Sequence, residues 1–215
     1  MQRGRLLWVS LSERGRKQMC KSVIIIGAGG HSKVVADVIR ASGDEVFGFL
    51  DDTKSSMEVI GKIDDCIKYS DKYFIIAIGD NLVRKSVEGK YPGLKYYTAV
   101  HPRAIVSETA KIGVGTVVMP NSVVNADAIV GNHCIINTAS VVEHDCNIGD
   151  YVHISPGAVL CGTVKVGRGT QIGAGSVVRN GISIVEDSVI GCGAAVVKDI
   201  DVSGVYVGVP AKEIK

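Results

Sequence analysis

From Val106 onward every sixth residue is aliphatic: Val106, Ile112, Val118, Val124, Val130, Ile136, Val142, Ile148, Ile154, Leu160, Val166, Ile172, Val178, Ile184, Ile190, Val196 and Val202. Two residues before most of them stands a small side chain, among them Ala110, Thr116, Ser122, Ala128, Cys134, Ser140, Cys146, Ala158, Thr170, Ser176, Ser188 and Ala194. A spacing of two puts both residues on the same side of a strand, facing a core. The fourth place of the hexad holds Gly115, Gly157, Gly169, Gly175, Gly181 and Gly193, or Asn121, Asp127, Asp145, Asp187 and Asp199, the residue types that best tolerate positive φ. Pro120 and Pro156 precede two of these bends with the φ that a turn wants. Each hexad reads as one short strand and one bend, and this period predicts a parallel β-helix of about five coils. No insertion breaks the repeat, so a site has to lie on the outside of the prism, between subunits.

Before residue 100 the pattern is different. "SVIIIGAGGHSKVVADVIRASG" is an apolar strand, a glycine-rich turn and an amphipathic helix with Val34, Val35, Val38 and Ile39 on one face. "EVFGFLDD" and "KYFIIAIGD" read as further strands, giving a small Rossmann-like β-α-β-α-β unit of about 80 residues, half a dinucleotide fold. Nine of the eleven aromatic residues also precede residue 100, leaving Tyr151 and Tyr206 beyond it. Two domains are expected, 19–100 and 101–215.

Charge changes the picture only at the start. The net charge is +2, but residues 1–18, "MQRGRLLWVSLSERGRKQ", carry a net excess of four positive charges, so the remainder is slightly acidic and offers no basic face to nucleic acid. The apolar run "LLWVSL" is too short for a secretory signal, and a start at Met19, with a dispensable leader before it, is the expectation. No apolar stretch approaches the roughly 18 residues of a membrane span. The six cysteines form no C-x-x-C pair, which favours reduced thiols and a cytoplasmic location.

Two of the five histidines lie in "VVEHDCNIGDYVH". His144 takes the third place of its hexad, at a corner, while His153 precedes Ile154 and points outward from a strand. Nine residues is half a coil of three hexads, so the two are expected to be halves of an intersubunit site rather than neighbours in one chain. An imidazole there suits proton transfer. His144 could equally be a solvated corner residue, since Glu108, Asn132 and Asp150 fill the same place. Asp145 is open to the same reading, or raises the basicity of His144. His133 reads as a bend residue. In the first domain Gly27 and Gly29 are followed by Ser32 where a third glycine would complete the dinucleotide motif, so NAD is not expected. The turn has room for a mononucleotide, with Asp51 and Asp52 either near a ribose or base or simply ending a strand.

The hexad "IGAGSV" looks like the repeat of the left-handed parallel β-helix in hexapeptide-repeat acyltransferases, which are trimers. The γ-class carbonic anhydrases share that helix and bind zinc through three histidines, two of them five apart. Here the intervals among His133, His144 and His153 are 11 and 9, and no metal is expected. At greater length, "GAGGHSKVV", "GFLDD", "IAIGDNLVRK", "HPRAIVS", "CIINTASVVEHDCNIGDYVHISPGAVLCGTVKVG" and "VYVGVPAK" resemble the sialic acid O-acetyltransferase and UDP-amino-sugar N-acetyltransferase family (NeuD/PglD type) over residues 22–215. The resemblance implies acetyl-CoA as donor and, in one branch, a UDP-4-amino-4,6-dideoxy-N-acetylglucosamine as acceptor, acetylated on its 4-amino group by direct transfer in a homotrimer. It makes His144 the general base, Asp145 its partner and Asn137 a member of the same site. It assigns His153, Gly162, Ala174 and Cys192 to acetyl-CoA, although Cys192 replaces a glycine of some members. It assigns Gly29, Gly30, His31, Asp51, Asp52 and Gly79 to the nucleotide sugar. A sialic acid O-acetyltransferase and a non-catalytic nucleotide-sugar-binding subunit are the alternatives.

Overall fold

The computed structural model describes residues 20–53 and 59–214. The basic leader and its expected start at Met19 lie outside them. The apolar run after Lys21 forms β1 (Ser22–Ile26), whose Val23, Ile24, Ile25 and Ile26 are fully buried. β2 (Glu45–Leu50), β3 (Val59–Gly61) and β4 (Tyr73–Ile76) complete an all-parallel sheet in the order β3-β2-β1-β4. A strand covered on both faces needs no alternation, which is why the isoleucines of β1 run on unbroken. α1 (Gly30–Ala41) crosses from β1 to β2 and buries Val35, Ala36, Val38 and Ile39. Val34, expected on the same face, is 40% exposed, because it sits about 100° round the helix from Val35.

Among the described residues between β2 and β4 the expected second crossover helix is not found. Between β2 and β4 the chain makes β3 and a 3-10 helix (Ile63–Lys68) that buries only Cys66, too little apolar surface to hold a longer helix against the sheet. α2 (Asn81–Lys90) instead follows β4. The unit therefore departs from β-α-β-α-β after its first crossover.

The second domain is a left-handed parallel β-helix of about six turns, one more than expected. It starts earlier, with Ala99–Val100 pairing to Val117–Val118, and it closes later, with Val205–Val207 beside Val189–Ile190. Between them two-residue strands recur every six residues through Ala195–Val196, and each as far as Val177–Val178 pairs with the strand eighteen residues on, as in His153↔Gln171. Three ladders result, of eight, six and five strands. The aliphatic places from Ile112 to Val196 are buried as expected. Val202 is not, at 63% exposed: Ile200 bridges Ile184 two residues ahead of the period, so the chain is already out of step.

Every sixth residue from Gly115 to Gly193 has positive φ, including Ala139, Tyr151 and Thr163, which no turn preference signals, as well as the expected Asn, Asp, Gly and His133. Asp199, beyond the slip, does not. The N–H of such a corner donates to the corner below: Asp145 to the Ala126 carbonyl (3.0 Å), Tyr151 to Asn132 (2.8 Å), Thr163 to His144 (2.9 Å).

The first domain rests on the eight-stranded ladder, here called the docking face, where Val117, Met119 and Ile135 join the core formed by Val23, Ile25, Val35, Ile39 and Ile75. The outward residues of the five-stranded ladder are Lys111, Ile129, Asn147, Lys165 and Ser183. Those of the six-stranded ladder are Ile105, Val123, Val141, Val159, Val177 and Ala195, an unbroken aliphatic face that is half-buried to exposed in the protomer. No helix among the described residues is long and apolar enough to cross a membrane.

A left-handed alanine costs about 1–2 kcal/mol that glycine does not. Ala139, exposed with φ 56°, is therefore expected to stabilise the fold by about 1 kcal/mol when changed to Gly, read as a higher midpoint in urea; a lower midpoint contradicts the corner account.

Candidate active site

Two groups of candidate residues occupy two different corners of the prism. Between the six- and five-stranded ladders, His144 projects from the corner whose bend is Asp145, at φ 59°. Its Nδ1 lies 2.8 Å from Asp145 Oδ2, and both side chains are more than half exposed. The Asp145 hydrogen bond raises the imidazole pKa above its ordinary value. With Nδ1–H donating to the carboxylate, Nε2 carries the lone pair. The ring lies over Gly162, one coil on: a Cβ there would sit 2.6 Å from His144 Nε2. Gly162 is thus the floor on which the imidazole rests.

The other group gathers where the docking face meets the first domain. Asn137 Nδ2 is 3.0 Å from His153 Nε2, and Asn137 Oδ1 accepts from the Thr138 N–H at 2.8 Å, which orients the amide. Within one protomer Asn137 therefore belongs with His153, not with His144. Ala174 and Cys192 stack on that same corner, eighteen residues apart, with the Gly193 N–H donating to the Ala174 carbonyl at 2.9 Å. His153 is half-buried and faces the first domain. Burial, and then the positive charge of Arg84, push its pKa down to about 4.

Opposite His153, at the carboxyl ends of β1, β2 and β4, lie the loops of the first domain, the usual ligand edge of such sheets. Gly27, at φ 103°, makes the sharp exit from β1, and a Cβ there would press on Ile78 and Ala77. Gly29, Gly30 and Gly79 border open space. Gly29 caps α1 without any side-chain bond, and His31 Nε2 is buried with no hydrogen-bond partner. A cradle of bare backbone with an unused imidazole nitrogen suits an anionic group. Asp51 and Asp52 are engaged by the chain itself: Asp51 Oδ2 accepts from the Ala28 N–H at 2.7 Å, and Asp52 Oδ1 from the Ile63 N–H at 3.0 Å. Both readings of Asp51 survive, since its loop also borders the cleft under β3.

The remaining candidates separate cleanly. His133 fills a bend, at φ 52°, and is packed between Tyr96 and Tyr151. It stands at a third corner, so His133, His144 and His153 do not converge within a protomer. Cys134 and Cys146 point into the core, where burial pushes their thiols up to about 12 and about 11. Neither has the exposure or low pKa of a nucleophile.

Residues 22–90 match the PglD N-terminal domain model. The perosamine N-acetyltransferase of Caulobacter crescentus, solved as a histidine-to-asparagine variant with CoA and GDP-perosamine, is 35% identical, with a TM-score of 0.88 over 90% of this chain and 97% of that one. The acetyltransferase domain of PglB from Neisseria gonorrhoeae FA1090 is 35% identical and superposes over 90% of this chain and 100% of that domain, with a TM-score of 0.86. The chain belongs to the PglD-type sugar acetyltransferase family. The UDP-N-acetylbacillosamine N-acetyltransferase of Bacillus subtilis (strain 168) is 40% identical over 112 residues, 45% of this chain. This PglD-type chain matches 50% of the length of that curated relative and 20% of a second.

One residue of this PglD-type chain that sequence reading did not single out is Arg84. It is 1% exposed and joins the two domains. Its only signal was its place in the quoted "IAIGDNLVRK". The close fit of His144 over Gly162 yields a prediction: Gly162→Ala is expected to displace the imidazole and lower acetyl-transfer turnover at least about tenfold with the melting temperature nearly unchanged; full turnover would show that the ring is not held there.

Proposed function

We propose that this chain is an acetyl-CoA-dependent N-acetyltransferase acting on the 4-amino group of a nucleotide-linked amino-dideoxy sugar, at a site shared between subunits of a homotrimer. The observation that carries the reading is the His144–Asp145 pair, presented at an outer corner with Nε2 free. The relatives named for UDP-N-acetylbacillosamine and perosamine support the substrate class, and they differ in nucleotide. The uridine form, with a bacillosamine-type sugar, is the first choice.

The assembly follows from the surface. Apolar area withdrawn from water contributes about 25 cal/mol per Å², and Ile105, Val123, Val141, Val159, Val177 and Ala195 form an unbroken aliphatic face on the prism. Packing three such faces about an axis sets the His144 corner of one subunit against the Asn137 corner of the next. Gly162 then faces Ala174 and Cys192 of its neighbour across a groove that would take the pantetheine arm.

In this arrangement the glycine cradle with His31 holds the nucleotide phosphates, and the sugar reaches toward the neighbouring His144. The amine nitrogen attacks the thioester carbonyl carbon while Nε2 takes an amine proton, and Asp145 steadies the imidazolium through Nδ1–H. A backbone N–H of the coil wall stabilises the oxyanion. Collapse of the tetrahedral intermediate breaks the C–S bond, and the proton passes from Nε2 to the thiolate.

The test is thiol release from acetyl-CoA with UDP-4-amino-4,6-dideoxy-N-acetylglucosamine, GDP-perosamine and free sialic acid. Turnover on a nucleotide amino sugar is expected, and turnover on sialic acid alone would overturn the reading. His144→Ala should lose at least about a hundredfold in kcat while remaining trimeric. Because the base must be neutral and Asp145 raises its pKa, the acid limb of the kcat/KM profile should lie above the ordinary imidazole value. In Asp145→Asn that limb should move to lower pH. A limb that stays in place would remove His144 from the base role.

A further inference from the structure

The corner that leads from the five-stranded ladder onto the docking face is built of Gly115, His133, Tyr151, Gly169 and Asp187, one per coil, all with positive φ. His133 (φ 52°) and Tyr151 (φ 59°) are the two ring side chains among the left-handed residues of the described chain. The other six that are not glycine, Asn121, Asp127, Ala139, Asp145, Thr163 and Asp187, are smaller. A bulky ring in that conformation carries strain that glycine or asparagine would lower, and such an outlier persists where its surroundings over-determine it.

What surrounds these rings is the first domain. Tyr96 meets the His133 ring edge-on, with centroids 4.5 Å apart and planes at 90°, and the Tyr151 ring stacks on His133 at 5.7 Å and 10°. Tyr96 is itself held by its bridge to Phe74 of β4 and by its hydroxyl, which donates to the Tyr91 carbonyl at 3.0 Å. The Tyr151 hydroxyl donates to Glu88 Oε2 of α2 at 2.9 Å. His133 is 4% exposed, and its Nδ1 is buried with no hydrogen-bond partner, so packing holds that edge of the ring. A Cβ on Gly115 would collide with that nitrogen, so the ring lies against the glycine of the neighbouring coil.

α2 also grips the backbone of this corner. Arg84 Nε donates to the His133 carbonyl and Nη2 to the Tyr151 carbonyl, both at 2.7 Å, and Asn81 Nδ2 donates to the Gly169 carbonyl at 2.9 Å. On the first domain, Arg84 Nη1 donates to the carbonyls of Ile78 (2.9 Å) and Gly79 (3.2 Å), at the edge of the glycine cradle. Corner carbonyls recur in every coil, so the guanidinium fork by itself would fit any two consecutive corners. The apolar contacts of the docking face are non-directional as well. The two rings occur at one height only.

We infer that His133 and Tyr151 are positioning residues that set the height at which the first domain sits along the prism, and so the coils that the glycine cradle faces. Tyr151 stands two residues before His153 and His133 four before Asn137, so the domain is registered on the coils that carry this pair. The inference rests on the reading of the site given under Proposed function.

The test replaces each ring by asparagine, which suits a left-handed corner and leaves in place the carbonyls that Arg84 holds. In Tyr151→Asn and in His133→Asn, hydrogen exchange of α2 is expected to quicken at least about tenfold, while the β-helix strands from Val159 to Val196 keep their protection. The KM for the nucleotide amino sugar should rise at least about fivefold with a fall in kcat, and the KM for acetyl-CoA should stay within about twofold. Tyr151→Phe, which keeps the ring, should retain the α2 protection and at least about half of the kcat/KM. Unchanged α2 exchange in both asparagine variants, or a lower kcat with both KM values unchanged, overturns the proposal. So does an asparagine variant that does not fold, since its ring would then belong to the β-helix itself. If the unaltered protein transfers no acetyl group, the functional reading fails and α2 exchange alone judges the docking.

Discussion

The second domain depends on one backbone constraint, a left-handed corner at every sixth residue. Eight of the corner residues with positive φ are not glycine, and each such residue costs about 1–2 kcal/mol in isolation. The cost is offset because the corner N–H is turned onto the carbonyl of the coil below, as Thr163 is onto His144 and Asp145 onto Ala126. With most corners locked in this way, the residue just before each projects outward at a fixed height, and residues eighteen apart stack. His144 against Gly162 is one such stack, and Ala174 against Cys192 is another. The β-helix part of the candidate site is thus a product of the coil geometry, while the glycine cradle comes from loops of the first domain.

The same geometry explains why two half-sites sit on one protomer without meeting. His144 and Asp145 stand at the corner on the far side of the aliphatic face, while Asn137, His153 and the glycine cradle lie where the first domain docks. An exposed ladder of valines between them is an unfinished core. In the proposed trimer a second copy would cover it and bring the halves together, so that burial of apolar surface and assembly of the site would be one event.

Much of this was legible in the sequence. The six-residue period marked the buried ladder from Ile112 to Val196 and placed His144 at a corner and His153 on a flat face. What escaped were features set by tertiary contact. The closing slip at Ile200 broke the period, leaving Val202 exposed. Ala139, Tyr151 and Thr163 took left-handed corners because the stack requires one there, not because their side chains favour it. α2 is the clearest case. Its apolar residues Leu82 and Val83 are 67% and 45% exposed, while Arg84 between α2 and the β-helix is buried. No hydrophobic pattern reports a helix whose anchor is a cation satisfied by carbonyls of another domain. The pairing of Asn137 with His153 is likewise invisible at a sequence spacing of sixteen residues.

The measurement that tests the central claim most directly is complementation between two inactive chains. One carries His144→Ala, the other Asn137→Ala with His153→Ala, and the two are co-expressed and purified as mixed trimers. A site shared between neighbours predicts that the mixture regains acetyl transfer on the nucleotide amino sugar, about a quarter of the unaltered activity if subunits assort at random. Mixed trimers that stay as inactive as either parent would contradict a shared site.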